Sequence, residues 1–245
     1  MKTYPHTVPA PVKTSGRTGI PGLDARSRGF SAALTPLISM VFGGGFVLGA
    51  ILKPSFLQGW HAGVLLMLIA GGFFITWKRA VLIYLRHEEG ARGEEQVARV
   101  LEAMPDSWNA FHGVPCGEKK LDHVLVGPDQ VFCIETVHWK GPVRVINGKI
   151  MHGDQFYPGY ELKSMKKRAE EFAGELGLPA AAVTPMVCIV GGRYGEHPGM
   201  KDQIWLGEIQ DLGTFLLGEH FRGLQKDVRA GVVENLEALF EQGDV

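Results

Sequence analysis

Residues 120–141 read KLDHVLVGPDQVFCIETVHWKG, and this stretch decides the fold. Residues 121–126 and 131–137 form two runs of mainly apolar side chains with many β-branched residues, which is typical of strands. Between them, Gly127-Pro128-Asp129-Gln130 combines residues that favour a turn. The sequence therefore predicts a β-hairpin.

The register of this hairpin brings two carboxylates together. If the four turn residues form the loop, counting back along both strands places Asp122 opposite Glu135. Side-chain alternation then puts both on one face of the sheet, together with Val124 and Cys133. Like charges directly opposite each other are destabilising by about 0.2 to 1 kcal/mol. Because hard divalent cations take carboxylate oxygens as ligands, the pair indicates a site for such a cation.

Several pieces of the chain resemble the nuclease-related domain family, NERD. The similarity spans residues 90–217 and is carried by Gly93-Glu94, the LDHVLVGPDQVFCIET hairpin, the WKG that follows it, a helix from about Glu161 and an apolar strand at 184–190. The resemblance implies a PD-(D/E)XK phosphodiesterase with an α/β, restriction-endonuclease-like sandwich and a mixed sheet. It also implies that Glu94, Asp122 and Glu135 are the acidic metal-site positions.

The chain departs from the family at one position. Where the family has Glu-x-Lys, this sequence has Glu135-Thr136-Val137, so the lysine that assists the scissile phosphate is missing from its usual place. In the predicted register Lys120 pairs with Val137, which makes Lys120 the first candidate to replace it. Lys166, at the edge of the apolar stripe of the helix at 161–176, is the second. Alternatively, these lysines are all solvated and the site is catalytically degenerate.

Two uncharged runs precede this region. Residues 31–52 and 54–77 contain no charged side chain, and only Lys53 lies between them. About 20 apolar residues cross a bilayer as a helix, so the sequence predicts two transmembrane helices at 31–52 and 56–77. Flanking Lys and Arg residues place both termini in the cytoplasm, with the protein in the inner membrane. The Gly45-x-x-x-Gly49 spacing allows a homo-oligomer through these helices.

The rest of the chain divides accordingly. We expect a disordered cytoplasmic tail at 1–30, a juxtamembrane helix at 78–89 and a NERD-like cytoplasmic domain at 90–245. Gly90 and Gly93 are expected to interrupt the helix, so that Glu94 lies in the first turn of a new one. The other predicted elements are strands at 108–114, 142–146, 149–152 and 203–206 and helices at 208–217 and 226–242.

Charge and cysteine content limit the function classes. Of 25 basic and 26 acidic residues, residues 1–77 hold six Lys/Arg and one Asp, so the remainder carries 19 basic and 25 acidic residues. This balance argues against a strong sequence-independent grip on nucleic acid. The three cysteines form no spaced motif, which fits a reducing cytosol and gives no zinc site. His123 and His138 lie on the face opposite the carboxylates and are predicted to be packing or surface residues.

Three functions remain open. The first is a membrane-anchored, Mg²⁺-dependent or Mn²⁺-dependent nuclease at the cytoplasmic face, with DNA placed before RNA as substrate and with Glu94, Asp122, Glu135 and Lys120 as the catalytic set. The second is a degenerate module that binds nucleic acid or a protein at the membrane. The third is a membrane scaffold in which the carboxylate pair binds no metal.

Overall fold

The computed structural model describes residues 19–51, 60–117, 119–218 and 224–241. It contains an N-terminal pair of long helices, an eight-stranded mixed sheet, and helices on both faces of that sheet. The predicted α/β class with a mixed sheet is therefore confirmed.

Two long helices, α1 (Leu23–Ile51) and α2 (Trp60–Glu102), run antiparallel and in contact. Gly22, immediately before α1, approaches Ala91 near the end of α2, while Met40 in α1 touches Gly72 further back. Helix α1 begins inside the segment predicted to be a disordered tail. Its first turns are held by contacts with α2, a tertiary effect that composition does not reveal; residues 1–18 of that tail lie outside the described residues.

Helix α2 is continuous from Trp60 to Glu102, so the predicted interruption at Gly90 and Gly93 is wrong. A glycine inside a helix costs only about 1 kcal/mol relative to alanine, and packing offsets it. In this case Gly93 lies against His138 of the sheet, where an added Cβ would come within 3.0 Å. Glu94 is therefore an interior residue of a long helix and not a residue of a first turn.

One helix in the described part of the chain is long and apolar enough to cross a membrane, Met67–Glu102, in which the best window has a mean hydropathy of 1.5. Only 6% of that window is buried. The two-span prediction is thus supported for one helix only. The predicted connection around Lys53 lies outside the described residues.

The sheet has the order β1-β2-β3-β6-β8-β7, with β4 and β5 added beyond β3. Strands β3 and β6 are parallel, as are β6 and β8, while the other pairs are antiparallel. The bounds are β1 Asn109–Cys116, β2 Lys119–Val126, β3 Val131–Ile146, β4 Lys149–His152, β5 Gln155–Glu161, β6 Val183–Tyr194, β7 Gly199–Lys201 and β8 Ile204–Glu208.

Helices cover both faces of the sheet. On one face α3 (Leu162–Glu175) and α5 (Lys226–Glu241) pack over a cluster that contains Val124 and Cys133. On the other face α2 and α4 (Ile209–Leu216) pack over Phe132 and Ile134. The alternation of residues 132–134 between these clusters is what the hairpin pattern predicted, and it confirms the sandwich arrangement.

The hairpin forms with the predicted register over its loop end. Val126 pairs with Val131, and the ladder continues to His123 and Ile134, but it stops there. Lys120 pairs with Pro115 of β1 and not with Val137, so this part of the predicted register is wrong. Beyond Ile134 strand β3 leaves β2 and continues its parallel pairing with β6. This separation opens a gap between the two strands at the position of the carboxylates.

Candidate functional site

The three predicted acids come together in the gap between β2 and β3. Glu94 from α2, Asp122 from β2 and Glu135 from β3 all line a single pocket of about 680 Å³, together with Arg168 from α3 and Tyr160 from β5. The three carboxylates thus come from separate elements of the fold and line one pocket, although consecutive ones are 28 and 13 residues apart in sequence.

Asp122 lies where the ladder between β2 and β3 ends. Its Oδ2 accepts a hydrogen bond from the backbone N–H of Thr136 at 2.7 Å, which replaces a ladder bond at that position. Burial, and after it the charge of Glu135, raise the pKa of Asp122 to about 7. Asp122 therefore exchanges its proton close to neutral pH.

Glu94 faces the same pocket from the helix side. Its Oε2 accepts a hydrogen bond from the backbone N–H of Gly22 at 2.9 Å. Burial raises the pKa of Glu94 to about 7, and the neighbouring Asp122 charge acts in the same direction. The two carboxylates are electrostatically linked, because ionisation of one disfavours ionisation of the other.

Glu135 has a cationic partner that the sequence analysis did not select. Arg168 forms an ion pair with Glu135 Oε1, and both side chains are only 15% exposed. Burial raises the pKa of Glu135, whereas Arg168 lowers it. A guanidinium thus lies inside the acidic pocket.

The spacing of α3 contained a signal for Arg168. Met165, Ala169 and Phe172 are buried, and residue 168 lies three positions after the first and four before the last, on the same side of the helix. Lys166 lies further round the helix, and its Nζ contacts Gln203 Oε1 at 2.5 Å outside this pocket. The prediction of Lys166 as a site lysine is therefore not supported by its position.

The three acids lie in a part of the chain that matches a known family. Residues 89–190 match NERD, the nuclease-related domain. The matched NERD region contains all three acids and Arg168. No curated protein and no solved structure gives a significant match to the chain.

Within the NERD region the position of the missing lysine is filled by packing. Val137 is 1% exposed and lies in an apolar cluster with Met165 of α3 and Ile189 of β6. Lys120 does line the acidic pocket, but its side chain is half exposed and its Nζ lies 3.7 Å from Asp24 Oδ1. Lys120 therefore sits at the rim and does not occupy the space beside Val137.

Whether the pocket suits a divalent ion depends on its donor set. One oxygen of each acid already accepts a hydrogen bond, in Asp122 from Thr136 N–H, in Glu94 from Gly22 N–H and in Glu135 from Arg168. The second oxygen of each is left for a ligand. Three carboxylate oxygens are the hard donors that Mg²⁺ or Mn²⁺ prefers, and binding would release the protons that the raised pKa values retain. In the described part of the chain, however, no group of three or more His, Cys, Asp or Glu side chains is already arranged to hold a metal ion. The donor set fits in its chemistry, and binding would require the carboxylates to move together.

Neither His123 nor His138 lines the acidic pocket. His123 is fully buried, and its Nδ1 lies 2.8 Å from Nδ1 of His112. Burial holds the pKa of His123 well below its usual range. The prediction that His123 is a packing residue is in line with its burial and its contact with His112 of β1.

Proposed function

We propose that this protein is a membrane-anchored, divalent-metal-dependent phosphodiester hydrolase that cleaves nucleic acid at the cytoplasmic face, with DNA placed before RNA. The observation that carries the proposal is the convergence of Glu94, Asp122 and Glu135 with Arg168 in one pocket of the NERD region. A buried group of acids whose pKa values are raised by burial and by one another is a feature of functional sites.

In this proposal Asp122 and Glu135, with Glu94, hold Mg²⁺ or Mn²⁺. The ion would supply a bound water of lowered pKa and would neutralise charge that develops on the phosphate. The protein side chains do the remaining work. The carboxylates fix the reacting centre, and Thr136 N–H and Gly22 N–H fix two of the carboxylates.

Arg168 takes the role of the missing lysine. Arginine binds phosphate oxygens through two parallel hydrogen bonds, so it can assist the scissile phosphate as well as lysine does. Because a divalent ion on Glu135 would offset the charge that now holds Arg168, the guanidinium would become available to the substrate. Lys119 and Lys120 line the rim and would meet the neighbouring phosphates.

The test uses the full chain in detergent with labelled single-stranded and double-stranded DNA and RNA, with and without Mg²⁺ or Mn²⁺. Cleavage should require the ion and should fall at least 100-fold in Glu135→Gln. Glu171→Gln is the matched control, because Glu171 is an exposed residue of α3 that pairs only with the surface Lys167 among the salt bridges of the described residues. Cleavage that survives in Glu135→Gln would rule out the proposed mechanism.

A second function is favoured by a specific observation. Arg168 already neutralises Glu135, and the buried Val137 leaves no cation at the motif position. Such a pocket would suit a degenerate module that binds nucleic acid or a protein at the membrane. Mn²⁺ or nucleic-acid binding without any turnover would favour this module, and absence of all binding would favour a scaffold.

We also propose that the apolar part of α2 enters the bilayer with α1 packed beside it, so that the chain crosses twice. Large apolar side chains such as Phe42, Met67 and Leu68 are more than two-thirds exposed, which suits contact with lipid. Lys78 and Arg79 follow the apolar part and favour a cytoplasmic NERD region. The Lys53→Cys variant should react with a membrane-impermeant thiol reagent added to intact spheroplasts. Reaction only after lysis would contradict the two-pass arrangement. The three native cysteines are buried and should give little background.

A further inference from the structure

The segment at 22–28 lies outside the matched NERD region but is attached to it. Ala25 is 6% exposed where the segment meets α2. Arg26 reaches across to α2 and pairs with Glu88 at 3.0 Å and with Glu95 at 2.7 Å. Glu88 and Glu95 lie on either side of Glu94 in sequence. Arg26 therefore holds the segment next to Glu94, which lines the pocket.

The two backbones touch where the chain has glycine. Gly22 has a φ of +75°, and a Cβ at this position would lie 2.9 Å from both the Cβ and the carbonyl oxygen of Ala91. At Gly29 an added Cβ would lie 2.4 Å from the Cβ of His87. Since contacts below 3.0 Å are not tolerated, any side chain at 22 would push the segment away from α2.

The contact has a direct effect on the pocket. The Gly22 N–H donates to Glu94 Oε2 at 2.9 Å, just before the first turn of α1. Asp24 and Arg28, from that first turn and the next, line the same pocket as Asp122. The pocket is therefore walled on one side by residues that the matched NERD region does not contain.

We propose that Gly22 is a positioning residue of the acidic pocket, whose backbone N–H holds Glu94 in the orientation that the metal-binding group requires. The segment at 22–28 is then a working part of the site and not a linker. This inference rests on the proposed function, because it assigns Gly22 to the same carboxylate group.

The experiment compares Gly22→Ala with Gly148→Ala in the full chain in detergent. Gly148 has a φ of +71° and open space around it, so its variant carries the same backbone strain without the contact to α2. Mn²⁺ binding, followed by the loss of the free-ion signal in electron paramagnetic resonance, is measured beside kcat and KM. We expect Gly22→Ala to bind Mn²⁺ at least 10-fold more weakly and to lose kcat with little change in KM, whereas Gly148→Ala should match the wild type.

The results test the role of Gly22 separately from the proposed hydrolase activity. Equal Mn²⁺ affinity in the two glycine variants overturns the inference, and so does a wild type that binds no Mn²⁺. A wild type that binds Mn²⁺ but cleaves nothing refutes the proposed hydrolase, while the difference in affinity still decides the role of Gly22. If Gly22→Ala does not fold, Arg26→Gln releases the segment without backbone strain and should weaken Mn²⁺ binding in the same direction.

Discussion

Replacing Asp122 by asparagine should make the protein more stable at alkaline pH. Burial and the Glu135 charge raise the pKa of Asp122 from 3.8 to about 7. The folded state therefore holds this proton more tightly than the unfolded state between about pH 4 and pH 7, so the free energy of unfolding falls as the pH rises through that window. Asparagine is neutral throughout and can still accept the hydrogen bond from Thr136 N–H.

The size of the effect follows from the pKa difference. A shift of about 3 units corresponds to about 4 kcal/mol at 1.36 kcal/mol per unit. Because Glu94 and Glu135 share the same repulsion and adjust their own protonation, we expect roughly half of this, about 2 kcal/mol, at pH 8. In a protein of this size that is a rise of about 4 to 8 °C in the melting temperature.

The assay is thermal unfolding of the full chain in detergent with EDTA, followed by tryptophan fluorescence at pH 5, 6, 7 and 8. Asp122→Asn should gain stability progressively over this series, from roughly 40% of the full gain at pH 5 to nearly all of it at pH 7. The exposed Asp106→Asn is the control and should show no such trend. A gain that is equal at pH 5 and pH 8, or a loss at pH 8, would refute the electrostatic reasoning.

Three further predictions concern single side chains. Arg168→Lys should retain part of the cleavage activity and Arg168→Ala almost none, measured as kcat on the preferred substrate. A wild-type kcat in both variants would show that Arg168 takes no part in the reaction. Val137→Lys should lower the free energy of unfolding by about 3 kcal/mol, because it places an uncompensated charge in an apolar cluster; a stable variant in a thermal melt would show that the motif lysine still fits. Arg229→Ala should cost about 2 kcal/mol, since Arg229 donates to Gly127 O, Ser107 O and Asn109 Oδ1; an unchanged melting temperature would contradict this.

Local patterns predicted the central part of the fold well. The turn residues of the hairpin and the β-branched runs on either side define its register from Val126 back to His123, because both strands are buried and a shift of one residue would exchange their faces. The Asn147-Gly148 turn between β3 and β4 was also recognisable, since both residues adopt positive φ, at 51° and 71°. Hairpins and amphipathic helices are determined by neighbours in sequence.

The parts that were missed depend on contacts between distant residues. Beyond Ile134 the ladder between β2 and β3 ends, while β3 keeps its parallel pairing with β6, about 50 residues later in the chain. The wall formed by Asp24 and Arg28 depends on contacts of Gly22 and Arg26 with α2, across roughly 60 to 70 residues. The Arg168 partner of Glu135 lies 33 residues away, and only lysines were considered as cations for this site. Sequence therefore predicted the three acids of the pocket but not the groups that hold them.

Because α2 is uninterrupted, it fixes the distance between its apolar part and Glu94. From Lys78, where charge first appears after the apolar part, to Glu94 there are 16 residues in one helix, a rise of about 24 Å at 1.5 Å per residue. With the apolar part in a bilayer, the same rigid rod would carry both the lipid contact and a carboxylate of the pocket. Glu94 would then lie at most about 24 Å from the lipid surface, and the length of α2 between Lys78 and Glu94 would set that limit.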